Sequence, residues 1–255
     1  MEKSLLKSYW RRYIKSFQPI TYPRFVQEYF PYTNWYPPLF RLKFLLNNID
    51  KKEKILDAGC GSGWATVYLL KNGYKVFSVD LSLNSIRKTK RISSVTKAKS
   101  KIKRCDLTSL PFENNFFEVA FSFEVFEHIP DLDKALVELM RVIRPGGKLI
   151  VSIPNKYGAF SIMNDFIAES ILKKHKHDSE IETKHVHLHS VYWWLKYFKK
   201  SKLYVEEVVN VEYLSPVLAK IVKNKSFFFS QVDVRIGTLL PKIFSSGWLF
   251  KITKK

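Results

Sequence analysis

The stretch that most constrains the fold is a nonapeptide that passes from an apolar run through an acid into alternating glycines. Residues 55–63 read Ile-Leu-Asp-Ala-Gly-Cys-Gly-Ser-Gly, and an apolar pattern at helical spacing follows from Trp64 to Leu70. Glycine is favoured where the backbone must adopt unusual dihedral angles or approach a ligand without a Cβ in the way. The sequence therefore predicts a strand, a tight turn and a helix whose unpaired N–H groups can face an anion.

The spacing of these glycines separates two classes of nucleotide site. Dinucleotide sites favour Gly-x-Gly-x-x-Gly. Counted from Gly59, the third glycine would fall at Trp64, and counted from Gly61 it would fall at Thr66. The chain instead carries Asp-x-Gly-x-Gly-x-Gly, which begins at Asp57. The alternative is a glycine turn that binds no ligand. Other residues of the chain have to distinguish a ligand-binding turn from such a turn.

Predicted strands and helices alternate beyond the turn. Such alternation indicates right-handed crossovers and a mainly parallel sheet of the α/β class. The predicted strands after the first one, at 54–56, are Lys75–Val79, Lys101–Cys105, Phe117–Phe123, Lys148–Ile153, Leu203–Val209 and Trp248–Ile252. The predicted helices are Leu39–Asn47, one from about Leu83, Leu132–Ile143 capped by Asp131, and Val191–Lys200 capped by Ser190.

Two further acids end or follow predicted strands. Asp80 ends the second strand, at a position where a carboxylate can accept both ribose hydroxyls of an adenosine ligand. Asp106 follows the third strand. Ligands of open α/β sheets bind at the carboxyl ends of the strands, so both acids indicate a nucleotide-type site. Asp80 alone does not distinguish NAD from S-adenosylmethionine.

The helix and turn at 136–147, which read Leu-Val-Glu-Leu-Met-Arg-Val-Ile-Arg-Pro-Gly-Gly, complete the pattern. With the glycine turn and the acids, residues 54–154 resemble the small-molecule branch of the class I S-adenosylmethionine-dependent methyltransferases, typified by ubiquinone and menaquinone biosynthesis enzymes. The resemblance implies a Rossmann-like, doubly wound, seven-stranded sheet in the order 3-2-1-4-5-7-6, with the last strand antiparallel and helices on both faces. It also implies methyl transfer to a small-molecule or lipid-linked acceptor, at an oxygen or carbon nucleophile.

The same resemblance implies a role for residues at the carboxyl edge of the sheet. Asp57 would orient the turn and the amino group of S-adenosylmethionine, Asp80 would hold the ribose, and Asp106 would read the adenine edge. The implied cofactor-binding residues are Asp57, Gly59, Gly61, Gly63, Asp80, Leu81, Asp106, Leu107 and Ser122.

Strand four is followed by Glu-Val-Phe-Glu-His at residues 124–128. His128 is the candidate catalytic base, because the ordinary pKa of histidine lies near neutrality. Two carboxylates and an imidazole could also hold a divalent metal, as the Glu-x-x-Glu-His pattern of ubiquinone O-methyltransferases has been linked to one. The expectation is that no metal is required, and that this group is structural or orients the acceptor.

Three histidines alternate in the later segment 185–189, at His185, His187 and His189. An extended segment would place them on one face, where a three-histidine metal site is the alternative. The favoured interpretation is the rim of the acceptor pocket or a general base.

The formal net charge of +20 favours an anionic partner, and nine Lys or Arg with no acid occur between 82 and 104. A solvated basic surface is the plainer interpretation of that run. Only two cysteines occur, and the amino-terminal sequence lacks the apolar core of a secretory signal, so a cytoplasmic protein is expected.

The predicted organisation is an amino-terminal helical and aromatic cap over 1–50 and a methyltransferase domain over 51–255, with acceptor-pocket insertions at 156–184 and 213–244. Residues 1–17 predict a basic amphipathic helix. A lid over the cleft is the favoured role, and peripheral contact with an anionic membrane is compatible with it. The oligomeric state is not predicted.

Two rival functions remain at this stage. A tRNA or ribose methyltransferase would use the basic surface, although the residues after strand four are Ser-Phe-Glu-Val and no Pro-Cys nucleophile occurs. The other rival is a cofactor-binding regulator without catalysis. Because every implied cofactor-binding residue is present, the sequence favours an active small-molecule enzyme and makes nucleic acid the less favoured partner.

Overall fold

The computed structural model describes residues 36–94, 101–158, 185–211 and 245–255. The predicted amphipathic helix 1–17 lies outside the described residues, as do most of the two predicted insertions, 156–184 and 213–244. The domain boundaries proposed from the sequence therefore stay predictions. None of the helices within the described ranges is long and apolar enough to span a bilayer.

Strands and helices alternate along the described chain. The order is α1 (Tyr36–Leu46), β1 (Lys54–Ala58), α2 (Trp64–Lys71), β2 (Lys75–Asp80), α3 (Leu83–Ser93), β3 (Lys101–Arg104), β4 (Phe117–Phe123), a short 3-10 turn (Phe126–His128), α4 (Leu132–Val142), β5 (Ile143–Pro154), α5 (Val191–Lys200), β6 (Tyr204–Val211) and β7 (Gly247–Thr253).

The strands form one seven-stranded sheet in the order β3-β2-β1-β4-β5-β7-β6. Strand β7 runs antiparallel to both of its neighbours, and the other pairings are parallel. The order reverses between β1 and β4, which is the place where open α/β sheets bind their ligands. The predicted fold and strand order are confirmed.

Helices cover both faces of this sheet. On one face, α1 and α2 bury Phe40, Phe44 and Leu69 against β1 and β4. On the other face, α4 and α5 bury Leu139, Trp194 and their neighbours against β4, β5 and β7. Because parallel strands are buried on both faces, β4 and the second half of β5, residues 149–153, are mostly apolar, and this layer supports the strand ends beneath the site.

Two helix starts follow the capping residues that the sequence predicted. Asp131 accepts the backbone N–H of Lys134 at the start of α4, and Ser190 accepts that of Trp193 at the start of α5. The fifth strand begins earlier than predicted, at Ile143 instead of Lys148. The reason is that Ile143 pairs with Phe117 of β4, before a shift in register. The Pro-Gly-Gly turn that follows is held by a bond from the N–H of Gly146 to the carbonyl of Lys254, just after β7, at 2.8 Å.

Replacing Ser190 by alanine is expected to lower the free energy of unfolding by about 1 kcal/mol, because the first turn of α5 loses its cap. Ser190→Asp keeps an acceptor and is the control. Thermal unfolding should show a fall of about 2–4 °C for the alanine variant only. Equal melting temperatures for Ser190→Ala and the wild-type protein would show that this cap contributes nothing.

Candidate functional site

A cleft of about 970 Å³ opens at the carboxyl edge of the sheet, above the reversal between β1 and β4. Most of the residues that the sequence singled out line this cleft. They are Asp57, Gly59, Gly61, Asp80, Leu81, Asp106, Leu107 and His128. The fold thus brings together side chains from four different strand ends, although they are separated by up to seventy residues in sequence.

The glycine turn is bonded to the end of β2. The N–H groups of Gly59 and Cys60 both donate to the carbonyl of Val79, at 2.9 and 3.0 Å. Gly59 has a φ of +91°, and a Cβ at this position would lie 2.5 Å from a methyl carbon of Val125. Glycine is therefore required at this position for two reasons, the backbone dihedral angle and the close approach of Val125.

Asp80 fixes the turn from the opposite side. One carboxylate oxygen accepts the N–H of Gly61 at 2.7 Å, and the other accepts the N–H of Ser82 at 2.8 Å. Charged acceptors strengthen such bonds, so the carboxylate holds the turn and the start of α3 in a fixed relation. Asp80 also lines the cleft.

Asp57 lies at the bottom of the cleft and is only 3% exposed. Its carboxylate accepts the hydroxyl of Thr66 at 2.6 Å, and that hydroxyl is also 2.7 Å from the hydroxyl of Ser78. Burial raises the pKa of Asp57 to about 7, the Thr66 hydroxyl opposes the shift, and the nearby charge of Asp80 adds to it. A cationic group bound above Asp57 would favour its ionised form.

The far end of the cleft holds the residues predicted to contact adenine. Leu81 is 47% exposed, whereas Leu107 is buried. Asp106 accepts both the N–H and the hydroxyl of Thr108, at 2.8 and 2.9 Å, which fixes its carboxylate after β3. An exposed leucine beside a fixed carboxylate suits a flat heterocycle with a polar edge.

Two of the predicted residues lie behind the cleft and do not line it. Gly63 has a φ of +82° and precedes α2, where a Cβ would lie 2.5 Å from Thr89. The hydroxyl of Ser122 is buried and donates to the carbonyl of Ala58 at 2.7 Å. Gly63 thus allows the close approach of Thr89, and Ser122 joins β4 to β1. Phe121 and Phe123 are the residues of β4 that line the cleft.

The predicted base, His128, lies on the 3-10 turn after β4. Its Nε2 is 3.7 Å from a carboxylate oxygen of Glu127, and its ring centre is 4.8 Å from that of His185. The carbonyl of Glu127 accepts the N–H groups of Val186 and His187, at 2.7 and 3.1 Å. These two bonds dock the segment 185–187 onto the turn, and they explain why His185 reaches the cleft region.

Glu127 is 1% exposed, and its Oε2 has no hydrogen-bond partner among the described residues. Burial raises the pKa of Glu127 to about 9, and the charge of Glu124 adds to the shift. Glu127, His128 and His185 each offer one potential metal ligand, and these atoms lie within 4.8 Å of one another. His187 and His189 are not part of this group of ligand atoms. The ring centre of His189 lies 3.6 Å from that of Trp193 and 5.9 Å from that of His187.

Arg41 is a cleft residue that the sequence analysis missed. It comes from α1 and forms an ion pair with Glu124 at 3.2 Å. Glu124 has a φ of +56°, which is strained for a residue with a side chain, and its carboxylate also accepts the hydroxyl of Ser152 at 2.7 Å. No sequence signal distinguished Arg41 from an ordinary basic residue of a surface helix, because its partner is distant in the chain.

Replacing Gly59 by alanine is expected to destabilise the protein by about 1–3 kcal/mol, because the new Cβ meets both a strained dihedral angle and Val125. Gly73 has a φ of +83° but nothing within 4 Å of a Cβ, so Gly73→Ala is the matched control for the dihedral cost alone. Urea unfolding should show the larger loss for Gly59→Ala. Equal losses of free energy of unfolding in the two variants would show that the Val125 side chain moves aside without a measurable loss of stability.

Asp57 also predicts a pH dependence of stability. Its pKa is about 7 in the folded protein and 3.8 ordinarily, so the folded state holds a proton that the unfolded chain releases. The free energy of unfolding therefore falls as pH rises across this interval and is flat above it. Asp57→Asn should remove this decrease in the free energy of unfolding, because asparagine does not titrate. Between about pH 5 and pH 8, the free energy of unfolding of the variant, measured with urea, should rise by more than about 1 kcal/mol relative to that of the wild-type protein. Parallel pH curves for the two proteins would refute the buried proton.

Comparison with known proteins agrees with this geometry. A model of the methyltransferase domain family matches residues 56–151. An uncharacterised protein of Methanocaldococcus jannaschii is 32% identical over 195 residues, which cover 73% of this chain and 81% of that protein. A ubiquinone biosynthesis O-methyltransferase of Coxiella burnetii is 30% identical over 142 residues, which cover 54% of this chain and 61% of that enzyme.

A solved structure of a SAM-dependent methyltransferase from Methanosarcina mazei has the same fold. It superimposes with a TM-score of 0.56 at 17% sequence identity, over 83% of this chain and 96% of that one. Taken with the strand order, the glycine turn and the acids at the strand ends, these matches identify the family. The chain belongs to the class I S-adenosylmethionine-dependent methyltransferases and resembles the ubiquinone biosynthesis enzymes among them.

Proposed function

We propose that this methyltransferase moves a methyl group from S-adenosylmethionine to an oxygen or carbon nucleophile of a small-molecule or lipid-linked acceptor. The observation that supports it best is the division of the cleft. One half is formed by the glycine turn and acids, and the other by aromatic residues of α2 and β4 and by polar residues that follow β4. The second half has room for an acceptor beside the cofactor. The related Coxiella enzyme is a ubiquinone biosynthesis O-methyltransferase, which agrees with such an acceptor.

The residues present fit the cofactor. Gly59 and Gly61 leave a side of the cleft without side chains, where a methionine portion can lie against backbone. Asp57 is the buried acid that would face the cationic amino group, and Asp80 would accept the ribose hydroxyls. Leu81 and Asp106 would contact the adenine ring. When bound, S-adenosylmethionine supplies a methyl group on a sulfonium, which is already an activated leaving group.

The protein then has to align the acceptor and exclude water. Alignment of reactants can supply roughly 7–11 kcal/mol in favourable systems. Trp64 and Phe123 stack with ring centres 6.1 Å apart and line the cleft, so they offer a flat apolar wall to an acceptor. A phenol or alcohol must also lose a proton, and His128 is the cleft residue whose imidazole can take it.

The acceptor half is polar as well as aromatic. Arg41 and Glu124 form their ion pair at its edge, and Glu127 lies buried behind His128. Glu127 with a raised pKa is a neutral carboxyl near neutral pH, so it does not oppose a negatively charged oxygen that forms on the acceptor. This arrangement supports an acceptor whose reacting oxygen gains negative charge before the transfer.

Asp80→Ala is expected to weaken binding of S-adenosylhomocysteine at least about tenfold, because hydrogen bonds to a charged acceptor contribute about 1.5–3 kcal/mol. Asp80→Asn keeps an acceptor for the N–H of Gly61 or Ser82 and should bind with intermediate affinity. Titration calorimetry of the three proteins checks the order, and NAD is the ligand control, with no detectable binding. Unchanged affinity in Asp80→Ala would remove Asp80 from the cofactor site.

Methyl transfer is expected to proceed without a metal, because the sulfonium of S-adenosylmethionine is already an activated leaving group and His128 can take the proton of the acceptor. Turnover of labelled S-adenosylmethionine with a cell extract as acceptor source should stay within about twofold after EDTA treatment, as alignment and base catalysis need no ion. Loss of turnover in EDTA, recovery with magnesium and no recovery in Glu124→Ala would overturn this expectation. The residues near His128 would then be metal ligands.

A further inference from the structure

The outer edge of the sheet at β3 carries a continuous basic surface, which we call the basic edge. No Asp or Glu occurs anywhere between residues 82 and 104. The exposed described members of the basic edge are Arg87, Lys88, Lys90, Arg91, Lys101, Lys103 and Arg104. A surface of this composition is not required by the cofactor half of the cleft, most of which is formed by other residues.

The fold explains why these charges gather. Helix α3 buries Ile86, Thr89 and Ile92 against the domain and turns its remaining side chains to solvent. Among the described strands, β3 pairs only with β2, and its Ile102 packs with Ile86 and Cys60 beneath α3. The other residues of β3 are exposed. Charges from α3 and β3 therefore surround the same edge of the sheet from both faces.

The charges of the basic edge are largely uncompensated. Arg87, Lys90 and Arg91 have no carboxylate partner among the residues that the structure describes. By contrast, Arg41, Arg141 and Lys251 on other parts of the described surface each pair with a glutamate. Like charges that repel one another without compensation disfavour the folded state and favour an anionic partner.

The basic edge adjoins the mouth of the cleft. Lys88 lines the cleft together with Asn84 and Ser85 of the same helix. Arg104 donates from Nε to the carbonyl of Leu81 at 2.9 Å, and Leu81 is the exposed leucine at the predicted adenine end. A partner that covers the basic edge would therefore lie beside the opening through which ligands pass.

We propose that the basic edge docks the enzyme on an anionic lipid surface. The contact needs only phosphate charges and a little apolar area, and the basic side chains supply both through their charged ends and their aliphatic stems. Helix α3 and strand β3 contain no aromatic residue. Single-stranded nucleic acid is generally bound by aromatic stacking platforms, which favours the lipid surface over RNA. The surface and its test do not depend on the identity of the acceptor.

The test compares two variants with the same loss of charge. Arg87, Lys90 and Arg91 are changed together to glutamine on α3, and Lys196, Lys199 and Lys200 are changed together on α5. All six side chains are exposed, and α5 packs beside β6 at the opposite end of the sheet. Neither triplet lines the cleft, so both variants should keep the wild-type melting temperature and affinity for S-adenosylhomocysteine.

Flotation of the full-length protein with vesicles of phosphatidylcholine and phosphatidylglycerol measures the docking. Each basic residue near an anionic surface strengthens binding about fivefold (about 1 kcal/mol), so the α3 triplet should lose at least about tenfold in vesicle affinity. The α5 triplet should stay within about threefold, and vesicles of phosphatidylcholine alone should not bind. Raising the salt from about 50 to 500 mM should abolish the difference, because screening shortens the reach of the charges.

Equal affinities for the α3 triplet and the α5 triplet would overturn the proposal. If vesicle binding is unchanged but binding to a single-stranded RNA falls in the α3 triplet, the basic edge is a nucleic-acid surface instead. Failure of S-adenosylhomocysteine to bind the wild-type protein would contradict the proposed function, and it would leave the vesicle result to stand on its own.

Discussion

The close packing of the glycine turn against the ends of β1 and β2 is the interaction on which the rest of the site depends. The carbonyl of Val79 takes two N–H groups of the turn, and Asp80 takes a third. Val125, which follows the neighbouring strand β4, lies where a Cβ of residue 59 would have to be. The strand ends, the turn and the cleft wall are therefore positioned together, and none can shift without the others.

This packing separates two kinds of electrostatic environment. Around Asp57 and Asp80, two acids lie close together at the cofactor half, and burial keeps a proton on Asp57 near neutral pH. In the acceptor half, Glu124 is compensated by Arg41, whereas Glu127 is buried and protonated. A cationic cofactor suits the first environment, and an acceptor that becomes negatively charged suits the second. The division supports methyl transfer from a sulfonium to an oxygen.

The sequence predicted the fold well because its signals are local. The glycine turn, the caps at Asp131 and Ser190 and the apolar strands each depend on neighbouring residues, and right-handed crossovers then restrict the strand order. The site was predicted in part for the same reason. Acids at strand ends reach the cleft, but the sequence could not show that the hydroxyl of Ser122 turns back to Ala58. Contacts between distant segments, such as Arg41 with Glu124 and His128 with His185, left no local signal.

The central proposal is that this cleft transfers methyl groups to a small-molecule or lipid-linked acceptor. Its most direct test is incubation of the protein and S-adenosylmethionine labelled in the methyl group with a fractionated cell extract. We expect the label in a small molecule or a lipid, and release of S-adenosylhomocysteine in equal amount. Label that enters only the RNA fraction, or cofactor that binds without any transfer, would contradict it.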